Sequence, residues 1–200
     1  MLTMATVNKI HNICVFNALR IQLSHPAWRR RTAFQLLLQQ TTPMKIQFWS
    51  IGKAHESHVI EGILMYNKRI QNYFPIQWQI IPTPKNSGAL STSELKKKES
   101  EQILKILQKD DYLVVLDEKG KQFPSEGIAS MIQQCANASH KNMIFLIGGA
   151  YGIDDSIKDR ANLIWGLSLL VFPHQLVRLI LAEQIYRACT IIRNENYHHS

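Results

Sequence analysis

The sequence predicts an α/β protein with a largely parallel sheet and helices on both faces. Three observations lead there. Strand-like runs alternate with runs at helical spacing from residue 45 onward. The central strand candidates, DYLVVLD and NMIFLIGG, are apolar almost throughout, as strands buried on both faces must be. The chain of 200 residues, 46% of them hydrophobic, is long enough for one domain with a substantial core.

The elements follow in order. KIQFWSI (45–51) reads as a strand, and HESHVIEGILMYNKRIQNYF (55–74) as a helix that ends before Pro75. IQWQIIP (76–82) is a second strand, and TPKNSGAL a loop of turn formers. STSELKKKESEQILKILQK (91–109) is a helix, with Ser91 and Glu94 spaced as a capping box. DYLVVLD (111–117) is a strand and EKGK its turn. PSEGIASMIQQCANAS (124–139) is a helix, NMIFLIGG (142–149) a strand, and DDSIKDRAN (154–162) a short helix with acids in its first turn. LSLLVF (167–172) is expected to be the last strand and PHQLVRLILAEQIYRACTII (173–192) the last helix.

The first 43 residues differ in kind. They hold Lys9, Arg20, Arg29, Arg30 and Arg31, no acid, and no strand–helix alternation. They read as an extension outside the domain: an upstream stretch preceding a natural start at Met44, a basic arm, or an Arg-rich transit peptide. Residues 44–200 form the expected domain. Of the formal charge of +8, five units lie in that extension, leaving the body at +3. Such a balance permits a nucleic-acid partner without requiring one. No apolar run reaches the roughly 18–20 residues a spanning helix needs, and no membrane role is expected. Cys14, Cys135 and Cys189 are odd in number, widely spaced and without a CxxC pair, which reads as reduced thiols in a cytoplasmic setting. No metal site is expected.

In parallel sheets ligands bind beyond the carboxyl ends of the strands. Three such ends stand out: Leu116-Asp117, Gly148-Gly149 and Phe172-Pro173. Gly148, Gly149 and Gly152 form a glycine-rich loop that suits either a cofactor or a tight turn; its spacing is neither a dinucleotide fingerprint nor a Walker loop. Asp117 could hold a ribose or a metal, or cap a turn. Pro173 suits a helix start. His174 and Arg178 share one face of the helix that follows. Arg178, in an almost wholly apolar helix, needs an anion or a carbonyl: an internal carboxylate, Glu183 or Asp117, or a bound phosphate or carboxylate.

FLIGGAYG, followed by LSLLVFPHQLVRLILAEQIYRACTIIRNENYHH, resembles the RlmH family of bacterial ribosomal RNA methyltransferases, of the SPOUT class. LKKKESEQIL and VVLDEKGKQFPSEGIA fit the same family, and the similarity runs in order through residues 44–200. It implies a sheet whose C-terminal part is threaded as a trefoil knot. It implies an S-adenosylmethionine (SAM) site built from Leu116, Gly148, Ser168, Leu169, Leu170, Val171, Phe172 and Pro173. It also implies a cytoplasmic homodimer that methylates N3 of a pseudouridine in 23S rRNA on the assembled ribosome, with no metal and no membrane partner. His174 and Arg178 are then the catalytic candidates, facing the methyl donor and the imide. Arg187, Arg193, Tyr197 and His198 are the RNA-binding candidates; Glu183, four residues before Arg187, makes that arginine the weakest. Ser100, Asn194 and the apolar LSLLVF depart from the family pattern. Two alternatives are a ribosome-binding factor of the same fold without activity and a SPOUT methyltransferase acting on tRNA. The intact glycine loop and FPHQLVR favour catalysis; the absence of an added RNA-binding domain weighs against tRNA.

Overall fold

A computed structural model describes residues 43–197. Lys45–Ile51 forms β1, and its even-numbered residues Ile46 and Phe48 face one side of the sheet. Helix α1 (Ser57–Ile70) leads to β2 (Ile76–Ile81). A short 3-10 turn at Ser87–Ala89 precedes α2 (Thr92–Ile106). Ser91 caps α2 as expected: its hydroxyl accepts from the Glu94 N–H, and the Glu94 carboxylate accepts from the Ser91 N–H. Then come β3 (Tyr112–Lys121), α3 (Ser125–Asn137), β4 (Asn142–Ile147), α4 (Asp155–Arg160), β5 (Leu163–Trp165) and α5 (His174–Ile192).

The five strands form one sheet in the order β2-β1-β4-β3-β5, every pairing parallel. One face packs on α1, α3 and α5 through Phe48, Phe145, Val114 and Trp165 against Ile132, Leu181 and Ile185. The other packs on α2 and α4 through Trp49, Leu113, Val115 and Leu146 against Ile103 and Ile157. Both faces of β3 and β4 are therefore covered, which is why these strands are apolar throughout.

Two expectations are corrected. EKGK is not a turn: β3 runs on to Lys121, which pairs with Trp165 after a break in register beyond Leu116. LSLLVF is not a strand: β5 is Leu163–Trp165, and residues 166–173 form a loop in which Leu169, Leu170 and Val171 are 89%, 69% and 80% exposed. The reason lies at Gly166. A Cβ on Gly120 would stand 2.6 Å from the Gly166 nitrogen, and one on Gly166 would stand 2.7 Å from the Gly120 oxygen. The two backbones touch there, and the chain leaves the sheet.

Candidate active site

The carboxyl ends of β3, β4 and β5 open into a cavity of about 530 Å³. Leu116 and Asp117 line it from β3, and Gly148, Gly149 and Gly152 from the loop after β4. Trp165 lines it at the end of β5, and Leu167, Ser168, Leu170, Val171 and Phe172 from the loop that follows. His174, the first residue of α5, completes the wall. The third site segment is thus a loop and not a strand end, yet it reaches the same cavity.

The glycines are there because side chains would not fit. A Cβ on Gly148 would lie 2.5 Å from Ile153 Cγ1. Gly152 has a φ of 83°, the left-handed region that favours glycine. The Gly152 N–H donates to the Gly149 carbonyl and closes the turn. The glycine loop is therefore both a tight turn and a cavity wall, so the two readings of it do not compete.

Asp117 likewise does two things. Its Oδ1 accepts from the Lys119 N–H at 2.9 Å, an ordinary turn cap, and its Oδ2 pairs with Lys158 at 2.7 Å. The bonds from Lys158 and Lys119 hold its carboxyl below the usual range against the opposing effect of burial. Both partners of this pair line the cavity, as do Lys96 and Lys119. These lysines carry no motif, and the sequence reading missed them.

Of the SAM-site candidates, Leu116, Gly148, Ser168, Leu170, Val171 and Phe172 stand on the cavity wall. Leu169 and Pro173 do not: Leu169 points to solvent, and Pro173 caps α5. His174 is exposed overall, but partial desolvation and then the charge of Arg178 lower its pKa from 6.5, while the Gly148 carbonyl pulls the other way.

Arg178 lies elsewhere. It is only 1% exposed and off the cavity wall. Its Nε–H donates to Ser50 Oγ at 3.0 Å, and Nη1 reaches Gln175 Oε1 and His55 Nδ1, each at 3.4 Å. Of the two alternatives for Arg178, the internal ion pair with Glu183 or Asp117 is not formed: Glu183 pairs with Arg187 at 2.6 Å and Asp117 with Lys158. Gln175 continues the network: its Oε1 accepts from the Glu56 N–H, and its Nε2 donates to the Ala54 carbonyl. The start of α5 is thereby tied to the loop between β1 and α1.

The RNA candidates sit on the far part of α5. Arg187 is held by Glu183, the i,i+4 pair expected, and lies 4.9 Å from the Tyr197 ring centre. Tyr197 packs edge-on to Tyr186 at 4.7 Å, and burial helps push its pKa up to about 12. Tyr73 donates to Glu195, which holds the tail against the turn that follows α1. Arg193 is exposed at the C-cap of α5. His198 lies outside the described residues, as does Cys14. Cys135 and Cys189 are buried free thiols, with pKa values raised to about 11 and about 12. Among the described residues no group of three or more His, Cys, Asp or Glu could hold a metal, and no helix is long and apolar enough to cross a membrane.

Comparison with known proteins adds a family. The family model described as "Predicted SPOUT methyltransferase" matches residues 44–198. A protein named ribosomal RNA large subunit methyltransferase H, from Cytophaga hutchinsonii, is 47% identical over 156 residues, covering 78% of this chain and 100% of its own length. One of the same name from Parabacteroides distasonis is 43% identical, covering 78% of this chain and 99% of its own. Among solved structures, a probable methylase family protein from Haemophilus influenzae Rd KW20 has a TM-score of 0.45 at 10% identity, covering 78% of this chain and 70% of that one. That last likeness is too weak to bear on the site.

Proposed function

This chain belongs to the SPOUT methyltransferase family, and on that premise we propose that it methylates N3 of a pseudouridine in 23S rRNA on the assembled ribosome, with SAM as donor. The observation that carries the reading is the convergence of three separated segments on one cavity: Leu116 from β3, the Gly148–Gly149 turn, and Leu167, Ser168, Leu170, Val171 and Phe172 of the loop after β5. Its size is in the range of small-molecule sites. Its wall suits SAM: apolar Leu116, Leu170, Val171 and Trp165 offer surface for an adenine, and the glycine turn admits close backbone approach. Bound there, SAM supplies a methyl group already activated by a sulfonium.

The residues of this chain have three tasks. The cavity walls hold donor and acceptor in line, which is where most of the rate enhancement arises when the leaving group is already good. His174, neutral at pH 7 because its pKa is lowered, can take the N3 proton as the N3–CH₃ bond forms. Arg178 is no cavity residue; its role is to fix the start of α5, and with it His174, through Ser50 and Gln175. As the nearby fixed cation it also favours the imide anion.

The protein acts in the cytoplasm as a homodimer, in which Arg187, Arg193, Tyr197 and His198 of the tail region meet the RNA. The trefoil threading of the C-terminal part rests on the family resemblance alone. Mass mapping of 23S rRNA nucleosides from a strain lacking the gene is the test. A methylpseudouridine lost from that strain and restored with the gene is the expected result; an unchanged rRNA in both strains contradicts the proposal.

A further inference from the structure

Beneath the glycine turn lies a charge that the reaction as described does not use. Glu99 of α2 is 4% exposed. Its carboxylate oxygens lie 2.6 and 2.9 Å from where a Cβ on Gly149 would stand, so the carboxylate presses directly on the turn. Burial alone raises its pKa; no hydrogen bond or neighbouring cation among the described residues offsets the cost. Of the lysines at the cavity wall, Lys158 is committed to Asp117, and among the described residues no ion pair joins Lys96 or Lys119 to Glu99. A carboxylate packed this closely under the turn, with no ion-pair partner among the described residues, stands where a cationic ligand in the cavity can serve as its counter-charge.

We propose that Glu99 is a charge-matching residue beneath the cavity, favouring the cationic methyl donor over its neutral product. This rests on the SAM reading above. SAM carries a net positive charge through its sulfonium. Methyl transfer breaks the S–CH₃ bond, the electron pair stays on sulfur, and the product S-adenosylhomocysteine is a neutral thioether. Burial raises the Glu99 pKa, so the cationic donor favours the ionised carboxylate one residue layer below the wall and the neutral product does not. In a poorly solvated interior that attraction reaches further than in water. Product release is then helped by the same side chain that helps donor binding. Glu99 does not line the cavity, so it acts through the Gly149 turn and the local field as a positioning residue.

The test measures calorimetric affinities of the full chain for SAM, for S-adenosylhomocysteine and for sinefungin, which carries a cationic amine where SAM has its sulfonium methyl. Glu99→Gln keeps the shape and removes the charge. Glu99→Met, an apolar side chain of similar length, serves where the Gln variant does not fold. In either variant SAM and sinefungin should bind about tenfold more weakly, with S-adenosylhomocysteine changed less than about twofold. Equal changes in all three ligands, or no change in any, overturns the proposal. A parent protein that binds none of the three overturns the SAM reading itself.

Discussion

The Arg178 guanidinium donates to the Ser50 hydroxyl at 3.0 Å, and both side chains are almost wholly shut off from water. The partner of this buried cation is thus a neutral hydroxyl at the end of β1, supplemented by Gln175 and His55. Ser50→Val removes the closest acceptor and leaves the guanidinium under-satisfied. Urea unfolding should show a loss of about 1–3 kcal/mol. SAM affinity should stay within about twofold of the parent, because neither residue is on the cavity wall; a large loss would place Arg178 in the cofactor site after all.

Gly148→Val tests the turn. Even the first carbon of the new side chain falls 2.5 Å from Ile153 Cγ1, so Ile153 or the turn must give way, and both line the cavity. SAM affinity by calorimetry should fall by more than about tenfold with circular dichroism unchanged. Unaltered affinity would show that the turn does not bound the donor.

His174 sets a pH dependence. Its folded pKa is lowered from 6.5, first by desolvation and then by Arg178. The folded state therefore takes up this proton less readily than the unfolded chain, and its contribution to stability is present above 6.5 and lost as the pH falls through the lowered value. Methyl transfer should hold its rate to below pH 6.5 and then decline as the ring protonates. His174→Asn should lower the rate by about 100-fold at pH 7 and abolish that acid decline. A variant with the parent's rate and profile removes His174 from the proton path.

Shortening the chain after Arg193 removes Glu195 and Tyr197, and with them the Tyr73 and Tyr186 contacts that hold the tail. Methyl transfer to ribosomes should drop by at least about tenfold while SAM affinity stays within about twofold. An equal loss in both would assign the tail to the cofactor cavity.

Much of this was legible in the residues, for identifiable reasons. β1, β2 and β4 announce themselves because strands buried on one or both faces need apolar side chains, and Phe145 and Leu146 can be recognised without knowing their neighbours. Ser91 and Glu94 announce a helix start because capping is local. LSLLVF misled for the complementary reason: an apolar run reads as buried whether or not it is, and Leu169 and Val171 are exposed. The punctuation was present in Gly166, but its meaning depends on Gly120, 46 positions away in the chain. Arg178 was rightly read as buried, but its partner comes from β1, and nothing at Ser50 marks it. Glu99 and Lys158 escaped notice because a charge on a helix is ordinarily solvated; only the packing of α2 and α4 against the cavity end of the sheet gives them meaning.

The central claim is that this cavity serves methyl transfer to rRNA within a formed ribosome. The body carries little net charge, and phosphate contacts supply most affinity for naked RNA, so the proposal assigns part of the recognition to a shaped ribosomal surface. The most direct measurement is transfer of labelled methyl from SAM to intact ribosomes, isolated subunits and protein-free 23S rRNA, all taken from a strain lacking the gene. Label should enter the 23S rRNA of intact ribosomes at least about tenfold faster than protein-free 23S rRNA. Equal rates on all three, or no label on any, would contradict it.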